Sequence, residues 1–183
     1  MEEKVNHLIF TQDWEKELQR KLLFQPASND KWAYICSPLR ADRKEQTRMH
    51  MRAASAYMYY SEAVLGIPAK APHAFMPYLL NDGIPSERAL ALDFGLRLLG
   101  QSRMLLICGD RISSGMQDEI AYALRLNIQI VAFNAELIPA VNMIAKTETG
   151  GADPVRWNLC HPVMGMSAAE LDRFLNPEER NGM

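Results

Sequence analysis

The sequence lacks most of the features that mark a membrane, secreted or metal-dependent protein. No apolar run approaches the roughly 18 residues that a bilayer span requires. The first residues, Met1-Glu2-Glu3-Lys4, have neither the basic start nor the apolar stretch of a signal peptide, so a cytoplasmic location is expected. Only three cysteines occur, Cys36, Cys108 and Cys160. They are odd in number, far apart, and form no CxxC or Cys/His cluster of zinc spacing. Buried thiols are therefore expected rather than disulfides, and no metal site. Neither sign of charge dominates: a net charge of −2 gives no bulk attraction to a nucleic-acid polymer or an anionic membrane, and neither is an expected partner. GxGxxG and GxxxxGKS/T are both absent, which removes the dinucleotide fingerprint and the P-loop. No Ser-His-Asp arrangement is legible from spacing.

What is present is a 183-residue chain with 48% hydrophobic residues, enough for one domain with a real core. The reading is a single domain over 1–183, with a core at about 32–133, an N-terminal annex 1–31 and a C-terminal extension 134–183. In the annex, 7–10 suits a short strand and 14–24 a helix capped by Asp13. The core begins with an apolar strand at 32–36, stopped by Ser37-Pro38. A long amphipathic helix is expected at 44–65, closed by Gly66. A second strand is expected at 67–75, its prolines suggesting an edge, followed by a loop at 76–85. Ser86 is expected to cap a helix to about 99. The third strand, 104–108, stops at Gly109-Asp110, a polar loop follows, and a helix opens at Gly115-Met116-Gln117-Asp118-Glu119. A fourth strand is expected at 128–133. Beyond it come a helix beginning near Pro139, a loop at 147–166 and a last short helix capped by Ser167.

This alternation of strand and helix predicts an α/β fold of the flavodoxin-like, Rossmannoid kind, a three-layer sandwich around a mostly parallel sheet with core order 2-1-3-4. The topological switch then lies between strands 1 and 3, where open α/β sheets bind ligands. Loop chemistry points to the same crevice. In 109–115, glycines allow close approach of backbone and the helix start offers N–H groups to oxygen anions. Ser37, Arg40 and Arg43 suit a phosphate or another anion, and His73 ends strand 2 at the same edge. Glu119 lies in the first turns of its helix, whose N-terminus would hold it ionised. A carboxylate so placed can attack an anomeric carbon, and a retaining mechanism needs a second acid at roughly 5–5.5 Å. Asp93, Asp110 and, least suitably, Asp118 are the candidates.

Three stretches carry a resemblance: Tyr34-Ile35-Cys36-Ser37-Pro38-Leu39-Arg40, Ala71-Pro72-His73 and Ile112-Ser113-Ser114-Gly115-Met116-Gln117-Asp118-Glu119-Ile120-Ala121-Tyr122-Ala123. They resemble the nucleoside 2-deoxyribosyltransferase-like superfamily, and within it families of the DUF4406 and DUF7768 type. The resemblance implies a flavodoxin-like fold, dimers or larger homo-oligomers, and no metal or other cofactor. It implies an N-glycosidase or deoxyribosyltransferase acting at C1′ of a nucleoside or its 5′-monophosphate, with Glu119 as nucleophile and Asp93 or Asp110 as the acid. Tyr34, Ser37, Arg40, His73, Gly109, Ser113, Ser114, Gly115 and Met116 would bind the substrate. The enzymes commonly carry an aspartate six positions before the nucleophile, where this chain has Ser113. The other reading is a protein of the same fold that binds a nucleotide-derived ligand without cleaving it.

Overall fold

The computed structural model describes residues 32–150, 155–158 and 162–176. The expected annex elements at 7–10 and 14–24 lie outside these residues, as does Cys160.

Strand β1 (Ala33–Cys36) enters first, followed by the long helix α1 (Lys44–Ala63). Strand β2 is only Ala69–Lys70, a 3-10 turn takes Pro72–Ala74, and a short helix α2 takes Met76–Leu79. Helix α3 (Pro85–Gly100) leads to β3 (Met104–Ile107), α4 (Ser114–Arg125) and β4 (Gln129–Ala132). A 3-10 turn at Ala135–Leu137 opens α5 (Ile138–Thr149). Strand β5 (Val155–Asn158) and helices α6 (Pro162–Gly165) and α7 (Ala168–Leu175) complete the described chain.

The sheet is parallel throughout, in the order β2-β1-β3-β4-β5. The expected order 2-1-3-4 holds, and the switch point lies between β1 and β3. Three local expectations change. The second strand is two residues long rather than nine, because Pro68 and Pro72 bracket it and Pro72 starts the 3-10 turn. Ile84 rather than Ser86 occupies the N-cap of α3, with Pro85 in the first helical position, where its missing N–H costs nothing. The stretch 147–166, expected as loop, contains β5, which pairs with β4 across an irregularity at Ile130/Val131.

Four-residue strands with every position buried cannot alternate core and solvent; they alternate between two cores. On one face Ala33, Ile35, Met104, Leu106 and Val131 pack under α1, α6 and α7, with Tyr57, Tyr60 and Leu171 among the contacts. On the other, Tyr34, Cys36, Leu105, Ile107 and Ile130 pack under α3, α4 and α5, with Leu99, Met116, Ile120 and Val141. Helix α7 starts with the expected Ser167 cap: its hydroxyl accepts from the Glu170 N–H, and Glu170 returns the bond to the Ser167 N–H. Cys36 and Cys108 are buried free thiols. No helix among the described residues is long and apolar enough to cross a membrane.

Candidate functional site

The period-two alternation of β1 sends Tyr34 and Cys36 to the α4 face. Helix α4 begins at Ser113, whose extended backbone and side-chain acceptor for the Met116 N–H make it the N-cap. Glu119 is six residues further on, partly buried, and turned back toward the sheet. The Tyr34 hydroxyl donates to Glu119 Oε1 at 2.6 Å. The Cys36 thiol is a second hydrogen-bonding neighbour. Helix α3 crosses closely here through Gly95, where a Cβ would stand 3.2 Å from the Tyr34 hydroxyl oxygen.

Burial dominates the electrostatics of this cluster. It pushes the Glu119 carboxyl up to about 7, against the pull of the Tyr34 and Cys36 donors and with a smaller push from Asp118. The expectation that the helix N-terminus would hold Glu119 firmly ionised is therefore corrected. The dipole acts within the first turn, and Glu119 lies beyond it. Burial and the Glu119 charge together push the Tyr34 hydroxyl and the Cys36 thiol upward, so both stay protonated as donors. Near neutral pH Glu119 is divided between its acid and carboxylate forms.

The other predicted residues divide between this cluster and the opposite face. Ser114 and Gly115 are exposed on the first turn of α4, beside the Ser113 cap. Met116 is 2% exposed and belongs to the core, so its side chain is packing rather than ligand contact. Asp93 is exposed on α3 and paired with Arg97 at 2.7 Å. Asp110 is exposed on the far side of β3, close enough to Tyr57 to act on its hydroxyl. Asp118 is the carboxyl that acts on Glu119.

Across the sheet, at the switch point itself, a cavity of about 450 Å³ opens between the loop after β1, the loop after β3, α1 and the start of α7. Arg40, Gly109 and Asp110 line it; Glu119 does not. Glu119 and this cavity therefore lie on opposite faces of the sheet rather than in the single crevice expected from loop chemistry and topology. Gly109 adopts φ +92° and packs against Pro38, which places Asp110 and Arg111 on the cavity wall. Ser37 and His73, both expected at the ligand, bond each other instead, Oγ to Nε2 at 2.8 Å. Burial, with His50 nearby, holds the His73 ring down at about 4, so it is neutral. This pair ties the end of β1 to the 3-10 turn after β2.

Cys36, Gly95, His50 and Arg111 are added by the structure. Three had a signal in the sequence: Cys36 is two residues from Tyr34 on a strand, Gly95 is a glycine inside a helix, and Arg111 lies in the 109–115 loop. His50 had none. No group of three or more metal-ligating side chains occurs among the described residues.

A family model described as a domain of unknown function (DUF7768) matches residues 31–133, more than half of the chain. The chain belongs to the DUF7768 family. The matched stretch runs from β1 through β4 and contains Tyr34, Cys36, Gly95 and Glu119 together with the loops after β1 and β3. No curated protein matches the sequence.

Proposed function

We propose that this chain is related to the nucleoside 2-deoxyribosyltransferase-like superfamily. On this reading it acts at C1′ of a nucleoside or its 5′-monophosphate, as an N-glycosidase or deoxyribosyltransferase. The observation that carries the reading is the Glu119 carboxyl at the ligand-binding edge of a parallel sheet, partly buried and held at 2.6 Å by the Tyr34 hydroxyl rather than by a cation. In the proposed step a Glu119 oxygen attacks C1′ and the C–N bond breaks, its electron pair leaving with the base, which takes a proton from solvent. Water, or a second base, then attacks C1′ and releases the carboxylate. Tyr34 orients Glu119 and spreads its charge. Asp93 and Asp110 have no part in this scheme, since one is paired with Arg97 and the other faces the cavity across the sheet.

A second reading, ligand binding without cleavage, is favoured by Ser113 six positions before Glu119, where the enzymes of the superfamily commonly carry an aspartate. Incubation with 2′-deoxynucleosides and their 5′-monophosphates separates the two. Free base that disappears in Glu119→Ala supports catalysis, and turnover unchanged in that variant rules out the assigned role. A ligand-induced rise in Tm without free base supports binding alone.

The protein is also proposed to act in the cytoplasm as a homodimer or larger homo-oligomer. Of the 16 residues of α3 only Gly95 and Leu99 are buried, while Leu90, Leu92 and Phe94 are exposed, as are Tyr78 and Leu79 of α2. Sedimentation of the intact chain tests this, and a monomer at micromolar concentration refutes it.

A further inference from the structure

The cavity across the sheet from Glu119 has a construction of its own. Two arginines line it, Arg40 on the loop after β1 and Arg111 on the loop after β3. Arg40 is two-thirds exposed, and its contact with Asp82 is 3.5 Å long, so its head is not committed. Arg111 is steadied from below. His50, 6% exposed on α1, has Nδ1 at 2.8 Å from the Leu39 carbonyl and Nε2 at 3.4 Å from the Arg111 guanidinium. A carbonyl only accepts and a guanidinium only donates, so the ring is fixed with its proton on Nδ1 and its lone pair toward Arg111. This spends one of five N–H groups of Arg111 and orients the rest.

The third wall is the start of α7. Its capping box satisfies the Ser167 and Glu170 N–H groups, while those of Ala168 and Ala169, both on the wall, have no acceptor within the helix. Two arginines and a helix start line one hollow and favour an oxyanion, with the Glu170 carboxylate already taking the Ser167 N–H at that start. The remaining charged groups on the wall, Asp42 and Asp110, are acceptors that would repel a bare anion but receive hydroxyl groups. The volume lies within the range of small-ligand sites, roughly 300–1,000 Å³.

We propose that this cavity is a binding site for a small phosphorylated polyol, the phosphate held between Arg40, Arg111 and the start of α7, and the hydroxyl groups by Asp42 and Asp110. The site stands independently of the reading given for Glu119, which lies on the opposite face.

Isothermal titration of the full chain with glycerol 3-phosphate, inorganic phosphate and glycerol tests the proposal; glycerol 3-phosphate has no anomeric carbon for Glu119 to meet. Glycerol 3-phosphate is expected to bind, phosphate more weakly, and glycerol not measurably. Arg111→Gln, a change at an exposed side chain, is expected to weaken glycerol 3-phosphate about tenfold or more through loss of a charge-assisted bond. Arg97→Gln removes the same charge on the exposed face of α3, outside the cavity wall, and is expected to bind as the parent does. The proposal is overturned if neither phosphate compound binds at about 10 mM, if glycerol binds as well as its phosphate, or if Arg111→Gln binds unchanged. Equal weakening in Arg97→Gln would make the effect one of net charge, and overturns it too.

Discussion

Replacing Glu119 with glutamine tests the electrostatic argument without needing a substrate. Glutamine keeps the shape and offers an oxygen to the Tyr34 hydroxyl, but it cannot ionise. In the unfolded chain the carboxyl loses its proton near 4.5; in the folded chain burial holds it to about 7. Between those values the folded state binds more protons than the unfolded one, so stability falls as pH rises. The penalty is absent below about pH 4, grows through the window and is complete above about pH 7. At about 1.4 kcal/mol for each tenfold change in proton affinity it amounts to about 3 kcal/mol. Whatever glutamine costs by its extra N–H groups is the same at every pH. The readout is therefore the difference between Glu119→Gln and the parent, followed by urea denaturation from pH 4 to pH 8. The variant should gain about 3 kcal/mol on the parent across that range, or roughly 6–12 °C in Tm for a chain of this size. His73 titrates in the same window with the opposite sign, but it is present in both proteins and cancels. Parallel curves would refute the claim that burial governs this carboxyl.

Three further predictions follow from the same geometry. Tyr34→Phe removes a donor to Glu119 while leaving the burial, so the midpoint of the Glu119 contribution should move up by about one pH unit; carboxyl NMR resolves this, and a midpoint that stays or falls contradicts the assigned bond. His73 is held at about 4 against an ordinary 6.5, so its contribution is present above pH 6.5 and is lost as pH falls toward 4. His73→Gln should accordingly lose less stability than the parent between pH 6.5 and pH 4, by about 3 kcal/mol, and equal acid sensitivity in urea melts counts against a neutral buried ring. Gly109→Ala forces a side chain onto φ +92° and a Cβ to 3.2 Å from Pro38 Cδ, which should cost about 1–3 kcal/mol in the same assay; a neutral result contradicts the strain.

The sheet order was legible because it depends on alternation: apolar runs of strand length separated by helical periods admit few windings. β5 was not legible. Its neighbourhood, Gly150-Gly151-Ala152-Asp153-Pro154, reads as turn, and its pairing is made by the open edge of β4, which no local pattern encodes. The short β2 was half legible, since the prolines that marked it as an edge also cut it to two residues. Glu119 was found through the register of its helix and the resemblance that register carries. Its proton affinity was misjudged because the helix dipole can be read from sequence position, whereas desolvation requires knowing what covers the side chain.

The separation of Glu119 from the cavity follows from one strand. Ala33 and Ile35 face α1, while Tyr34 and Cys36 face α4, so the residues just beyond Cys36 feed a loop that can serve either side. In β3 the same alternation sends Leu105 and Ile107 one way and Leu106 and Cys108 the other. Topology therefore brings two strand ends to one edge, but the pleat decides which layer each side chain enters. Glu119 on the α4 side and Arg111, beside His50 of α1, are close along the chain and enter different layers. Loop chemistry read without the pleat merges them. The parity of positions along β1 and β3 is enough to keep them apart, and it makes Glu119 and Arg111 independently mutable: a change at either should leave the other's chemistry in place.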